Sequence, residues 1–198
     1  MMARQNRVTP KAEIVAHPAR GLFMGNRGIL HDDTGVLGHR RWRLKGWVTC
    51  LLDFKGRKRT LAAPGRYTEL FFFDEAVAFA AGHRPCAECR RSDYTAFREA
   101  AGITGRIEAF DKDLHAARVI PRKWAQRHHE AQAGDLPDGV FVLLGDGTPA
   151  MISGDAAMPF VEFRYRPAQP RPQGTVTLLT PPPLVDALRG GYRLTTRA

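Results

Sequence analysis

Residues 1–20 show few periodic apolar positions; the stretch is polar and basic and is expected to be a partly flexible arm. Gly21-Leu22-Phe23-Met24-Gly25-Asn26-Arg27-Gly28 follows. Its three glycines imply positive φ or close backbone approach. It lacks the Gly-Lys-Ser/Thr ending of a phosphate loop. His31-Asp32-Asp33-Thr34-Gly35 reads as a turn. Trp42, Leu44, Trp47, Cys50, Leu52 and Phe54 then mix with polar positions, a pattern that predicts two strands across Arg41 to Phe54, with Lys45-Gly46 as the hairpin turn. Thr60-Leu61-Ala62 is expected to start a further strand, and Tyr67 to Phe73 is aromatic and strand-like.

Helical spacing begins at Asp74, which is placed to cap a short helix, Glu75 to Ala81, closed by Gly82. Ser92 is placed to cap a second, Asp93 to Ala101, closed by Gly102. A third helical segment opens at Asp111 or Asp113, is broken or restarted at Pro121 and runs to about Ala133. Beyond Leu136, Val140–Leu144, Ala150–Ser153, Phe160–Tyr165 and Thr175–Leu179 read as strands. A proline-rich linker spans 167–172, and a terminal helix covers Pro183 to Arg189. Together these elements predict an α+β fold. An N-terminal β-hairpin precedes a cysteine knuckle between short helices, and a small β-rich portion closes the chain. The expected organisation is an arm over 1–20, a knuckle-containing region over 21–134, and a β-rich portion over 135–198 on the same core.

Composition narrows the function classes. With 43% hydrophobic residues in 198, a sizeable core can form. No run of 18 apolar residues exists, so no membrane span is expected, and the N-terminus lacks the apolar segment of a secretory signal. The formal net charge of +10, carried mostly by arginine, points to a polyanionic partner, nucleic acid above all. The competing reading is a solvated basic surface. The three cysteines, Cys50, Cys86 and Cys89, are too few for a disulfide framework. They imply a reducing, cytoplasmic setting and a metal or redox pair.

Two thiolates separated by two residues can face one metal ion, so Cys86-Ala87-Glu88-Cys89 supplies half of a tetrahedral zinc (Zn2+) site. Arg84, Arg90, Arg91 and the following helix N-terminus favour thiolate over thiol. A redox pair is the alternative, but no parallel βαβ pattern precedes the motif. The stretch from Phe72 to Arg91, with Ala81-Gly82-His83-Arg84-Pro85-Cys86-Ala87-Glu88-Cys89 at its heart, resembles the zinc domain of Ada-type methylphosphotriester DNA-repair proteins. That resemblance covers residues 72–91 and implies a DNA-binding domain with four zinc-bound cysteines, one of which accepts a methyl group from a DNA phosphate. Here the first cysteine pair is not reproduced. Cys50 stands in for one member, and the fourth ligand falls to a histidine: His39 first, with His31 and His83 as alternatives. The chain is also similar to a group of bacterial proteins of comparable length, through Gly25-Asn26-Arg27-Gly28, Pro64 to Phe72 and Leu114-His115-Ala116. That similarity implies no mechanism.

The expected function is a zinc-stabilised DNA-binding protein in repair or regulation. Lys55, Arg57, Lys58, Arg59, Arg84, Arg90 and Arg91 are the candidate phosphate contacts. Two other classes stay open. One is an enzyme acting on nucleic acid, either a zinc-dependent hydrolase using His115 or an alkyl acceptor using Cys50. The other is a basic protein-interaction module. His115 and Arg118, three apart on one helix face, read as a phosphate-contacting, catalytic or merely solvated basic face, extended by Arg122, Lys123 and Arg127. Glu69 reads as a solvent-facing strand residue, with an inward carboxylate as the rival. The three tryptophans read as core, with base stacking as the rival.

Overall fold

The computed structural model describes residues 3–58 and 60–198. Its first sheet is built from β1 (Gln5–Val8), β2 (Ile14–Ala16), β3 (Phe23–Asn26), β4 (Val48–Leu51), β5 (Leu70–Phe72) and β6 (Arg84–Pro85), in the order β2-β1-β5-β3-β4-β6. Helix α1 (Glu75–Ala80) links β5 to β6; α2 (Arg91–Ala100) and α3 (Ile107–Arg118) follow. A small ribbon of β7 (Val119–Ile120) and β8 (Ala125–Gln126) leads into β9 (His129–Gln132). The second sheet adds β10 (Phe141–Leu143), β11 (Pro149–Ser153), β12 (Ala156–Val161), β13 (Arg164–Tyr165), β14 (Gln169–Pro170) and β15 (Thr175–Leu178). Its order is β13-β12-β11-β10-β15-β9, with β14 beside β12. Helix α4 (Pro182–Arg189) ends the regular structure.

Helix α1 is the hinge of the packing. Every residue from Glu75 to Ala80 is buried, because an alanine-rich turn is thin enough to sit between other elements. Asp74 caps it as expected, its Oδ1 accepting from the Val77 amide at 3.0 Å. Its Oδ2 accepts from the Tyr165 hydroxyl at 2.9 Å and the Arg197 amide at 3.1 Å, so one carboxylate ties α1 to the second sheet and the C-terminal segment. One apolar cluster joins α1 and β5 to Phe141, Met151, Phe160 and Leu179 of the second sheet region. The other joins Phe97 of α2, Leu114 of α3 and Leu184 of α4 to the strands beneath them.

Several sequence expectations change. Residues 5–16, expected within a flexible arm, form the β1–β2 hairpin and bury Val8 and Ile14. The hairpin expected across 41–54 does not form. Only Val48–Leu51 is a strand, and it pairs with β3. The glycines of 21–28 explain why: a Cβ on Gly25 would lie 2.2 Å from the Val48 carbonyl oxygen, so this approach admits only glycine. Thr60–Ala62 is not a strand among the described residues. The third helix ends at Arg118, and residues 119–132 run as short strands instead of helix. Pro121 ends helical hydrogen bonding there, as its missing N–H requires. Ser92 lies inside α2 rather than at its cap, which is Arg90. The proline-rich 167–172 segment contributes β14 as an edge strand, where proline is tolerated.

Candidate metal centre

Parallel pairing of β4 with β6 brings the cysteines together. Val48 pairs with Arg84 and Thr49 with Pro85, and the Cys86 amide donates to the Thr49 carbonyl at 2.9 Å. The Thr49 hydroxyl donates to the Arg84 carbonyl at 3.0 Å, fixing the register from both sides. Cys50, next along β4, therefore stands beside Cys86, next along β6. The sulfurs of Cys50, Cys86 and Cys89 all lie within 4.8 Å of one another. Ligands of a regular tetrahedral zinc with bonds of about 2.3 Å are about 3.8 Å apart, so the three need only a small contraction to share one ion. No histidine or carboxylate joins them within that span among the described residues.

The knuckle is electrostatically prepared. The Glu88 amide points at the Cys86 sulfur at 3.4 Å. The Cys50 thiol donates to Cys86, and this contact is the largest influence holding Cys86 down to about 5. Cys50 is pushed up, first by that same hydrogen bond and then by burial. Burial also raises Cys89. A shared proton among three close sulfurs is what a cation would displace. Cys50 is 8% exposed, whereas Cys86 and Cys89 are half-buried, so the cluster opens outward on the knuckle side.

Two arginines expected at phosphates instead anchor this site. Arg84 grips Asp111 of α3 with Nε and Nη2 at 2.7 and 2.6 Å, and both side chains are buried. Arg90 pairs with Glu75 of α1 at 2.7 Å and with Asp93 of α2 at 2.8 Å. Their charge is spent inside the fold, so neither is available to a polyanion. Of the cations expected at phosphates, Lys55, Arg57, Lys58 and Arg91 are exposed. Arg57 reaches Glu88 of the knuckle at 2.6 Å, with both side chains largely exposed, which keeps its loop beside the cysteines. Arg59 lies outside the described residues.

The histidines go elsewhere. His39 is exposed and packs edge-on against Trp124, with ring centroids 6.1 Å apart, and is not among the converging ligand atoms. His31 is buried against the Thr68 hydroxyl at 2.6 Å and the Ala63 carbonyl at 3.2 Å. His83 is fully buried between Trp47 and Phe72. His115 lies against Trp42 and Trp47, where burial and then Arg118 and Lys45 push it down to about 4. Arg118, expected on a solvated face, is 1% exposed. Glu69 is inward, not solvent-facing, and its Oε2 accepts from the Ala62 amide at 2.9 Å.

Cys50-Leu51-Leu52-Asp53 repeats the spacing of Cys86-Ala87-Glu88-Cys89, but Asp53 is exposed and is not among the converging ligand atoms.

No family model matches the chain, and no curated protein or solved structure matches it either. The Ada-type resemblance accordingly rests on the wording of residues 72–91. No helix among the described residues is long and apolar enough to cross a membrane.

Proposed function

We propose that the protein is a zinc-stabilised DNA-binding protein in which Cys50, Cys86 and Cys89 hold the ion and the exposed cations beside the knuckle contact phosphates. The observation that carries the reading is the convergence of three sulfurs from two paired segments. A thiolate-rich, tetrahedral donor set suits zinc better than the harder divalent ions. The metal would hold β4 to the knuckle where each segment leaves the sheet, and so couple metal binding to folding. Lys55, Arg57, Lys58 and Arg91 flank it, and the net charge of +10 supports a polyanionic partner. A role in repair or regulation follows from the Ada-type resemblance alone.

A second reading, an enzyme acting on nucleic acid, is favoured by one feature. Cys86 and Cys89 are half-buried, so a fourth metal position there can face solvent and exchange ligands, as catalytic zinc sites do. His115 is not part of that centre, and Cys50 is the least accessible of the three sulfurs, which weighs against it as the methyl acceptor.

The test is elemental analysis of protein purified without chelator, joined to a gel-shift assay on duplex DNA with products resolved afterwards. About one zinc per chain, salt-sensitive retardation and unchanged DNA are expected. Metal-free folded protein removes the first reading. Altered DNA in the same lanes moves the enzyme ahead of it.

A further inference from the structure

Arg27 and Arg118 are each 1% exposed, and neither has a carboxylate partner among the described residues. Arg27 donates to His83 Nε2 at 3.3 Å and to the Ala12 carbonyl at 3.2 Å, and its Nη2 is buried without a partner. Arg118 donates to the Gly82 carbonyl at 2.5 Å, to the Lys45 carbonyl and to His115, and its Nε is buried without a partner. Both guanidiniums sit over Trp47, at 4.2 and 3.8 Å from the ring centroid. The acid nearest in influence is Asp111, and Arg84 already grips both its oxygens. Two buried cations therefore lack a counter-charge. Cation–π contacts and carbonyls return only part of the several kcal/mol that burying each unpaired ion costs.

Both arginines line one pocket of about 560 Å³. Trp42 and Trp124, half-buried, form an aromatic side with rings 4.7 Å apart, and Lys11 and Arg41 add further positive charge. Its one acidic lining residue, Glu13, is exposed and accepts from Thr9. Gln126 also lines it, with Oε1 buried and unpartnered while Nε2 is held by backbone carbonyls. Of the five buried side-chain polar atoms without partners among the described residues, three belong to residues of this one pocket. Trp124 holds its place at φ 52°, a left-handed conformation that a bulky residue adopts at a cost. Buried unsatisfied donors, excess positive charge and strained aromatic placement thus coincide.

We propose that this pocket binds a nucleoside monophosphate, either free or as the terminal unit of a nucleic-acid strand. Arg27 and Arg118 would take the phosphate, because a guanidinium fork matches phosphate oxygens and two such forks match a dianion. Trp42 and Trp124 would take the base, whose flat face stacks on indole, and Gln126 offers an acceptor to a base amino group. The volume suits a ligand of that size. The site contains no cysteine and is independent of the metal reading.

The test uses the full chain with its metal and follows binding by calorimetry and tryptophan fluorescence. The probes are inorganic phosphate, the common nucleoside 5′-monophosphates, the matching nucleosides, and single strands with and without a 5′-phosphate. At least one monophosphate is expected to bind one-to-one, with its nucleoside roughly 100-fold weaker for want of the charged hydrogen bonds. Arg27→Met is expected to abolish this binding while melting no lower than wild type without ligand, because it removes an uncompensated charge. Trp124→Ala, at the half-buried rim, is expected to weaken the nucleotide roughly tenfold or more while leaving inorganic phosphate unchanged. Competition by 5′-phosphorylated strands but not by unphosphorylated ones assigns the strand end as the source; competition by neither assigns the free nucleotide. Failure of every phosphate-bearing probe to bind at millimolar concentration, or unchanged binding by Arg27→Met, overturns the proposal. Inorganic phosphate binding as tightly as every nucleotide overturns the role of the tryptophans.

Discussion

Arg90 and Glu75 form an ion pair of 2.7 Å with side chains only 1% and 0% exposed, joining the residue after the cysteine knuckle to the first turn of α1. Glu75 is satisfied on all sides: the Tyr192 hydroxyl donates to it at 2.8 Å and the Thr195 amide at 3.0 Å. Removing one member of such a pair strands the other charge in the interior. Arg90→Met and Glu75→Gln should each lower stability by roughly 3–5 kcal/mol, and the double variant by clearly less than the sum. Urea unfolding of the four proteins measures this. Additive losses would show that the two side chains act separately.

This pair shows where sequence reading stops. The local signals were legible: Asp74 as a cap, the Cys86-x-x-Cys89 turn, the strands near 140–144, 150–153 and 175–179 and the terminal helix all follow from nearest-neighbour chemistry, whereas 160–165, expected as one strand, turns at Glu162–Phe163 to pair β12 with β13. What could not be read was which charges meet across the fold. Arg84 and Arg90 look like surface cations beside the knuckle, yet their partners Asp111 and Glu75 lie in other elements. The same holds for Trp47 and Arg118, distant in sequence and stacked in space. Cys50 is assignable to the site because it is the only other cysteine in the sequence, whereas His39, expected as the fourth ligand, is not among the converging ligand atoms, since surface and interior histidines look alike in sequence.

The metal reading makes a graded prediction. In the zinc-bound protein, Cys50, Cys86 and Cys89 should all resist alkylation and react after chelation. Cys86→Ser should lose zinc and melt earlier. Asp53→Ala should leave the affinity unchanged, because its exposed carboxylate is not among the converging ligand atoms. Competition with a colorimetric chelator reads the affinity. A weakened ion in Asp53→Ala would make that carboxylate, and not solvent, the fourth ligand.

Phosphate contacts by the exposed cations should appear in salt dependence. Lys55→Ala, Lys58→Ala and Arg91→Ala should each flatten the log–log slope of duplex binding by about 0.9 and weaken all sequences alike. Arg57→Ala also releases Glu88, so its effect on the slope should be smaller than that of Lys58→Ala. A salt titration of each variant on one duplex decides. A single shared slope for wild type and all four variants would place the partner elsewhere.

Acid should loosen the fold through His83. Burial first, then Arg27 and Arg118, hold this histidine well below its ordinary 6.5. Trp47 and Phe72 cover its ring, and its Nε2 accepts from Arg27, which a proton would forbid. The folded state therefore keeps His83 neutral where the unfolded chain takes up a proton. With more protons bound in the unfolded state, stability is complete above about pH 6.5 and falls as pH drops below it. His115, held down to about 4, adds in the same direction. Asp74 and Glu75, raised first by burial, act oppositely, so the net slope of the wild type is a balance. The informative quantity is therefore the difference from His83→Gln, which keeps an acceptor for Arg27 and cannot titrate. Between pH 7 and pH 5 the wild type should lose on the order of 1–2 kcal/mol more than this variant. Urea midpoints at the two pH values measure it, and equal losses would mean that His83 takes up its proton without unfolding.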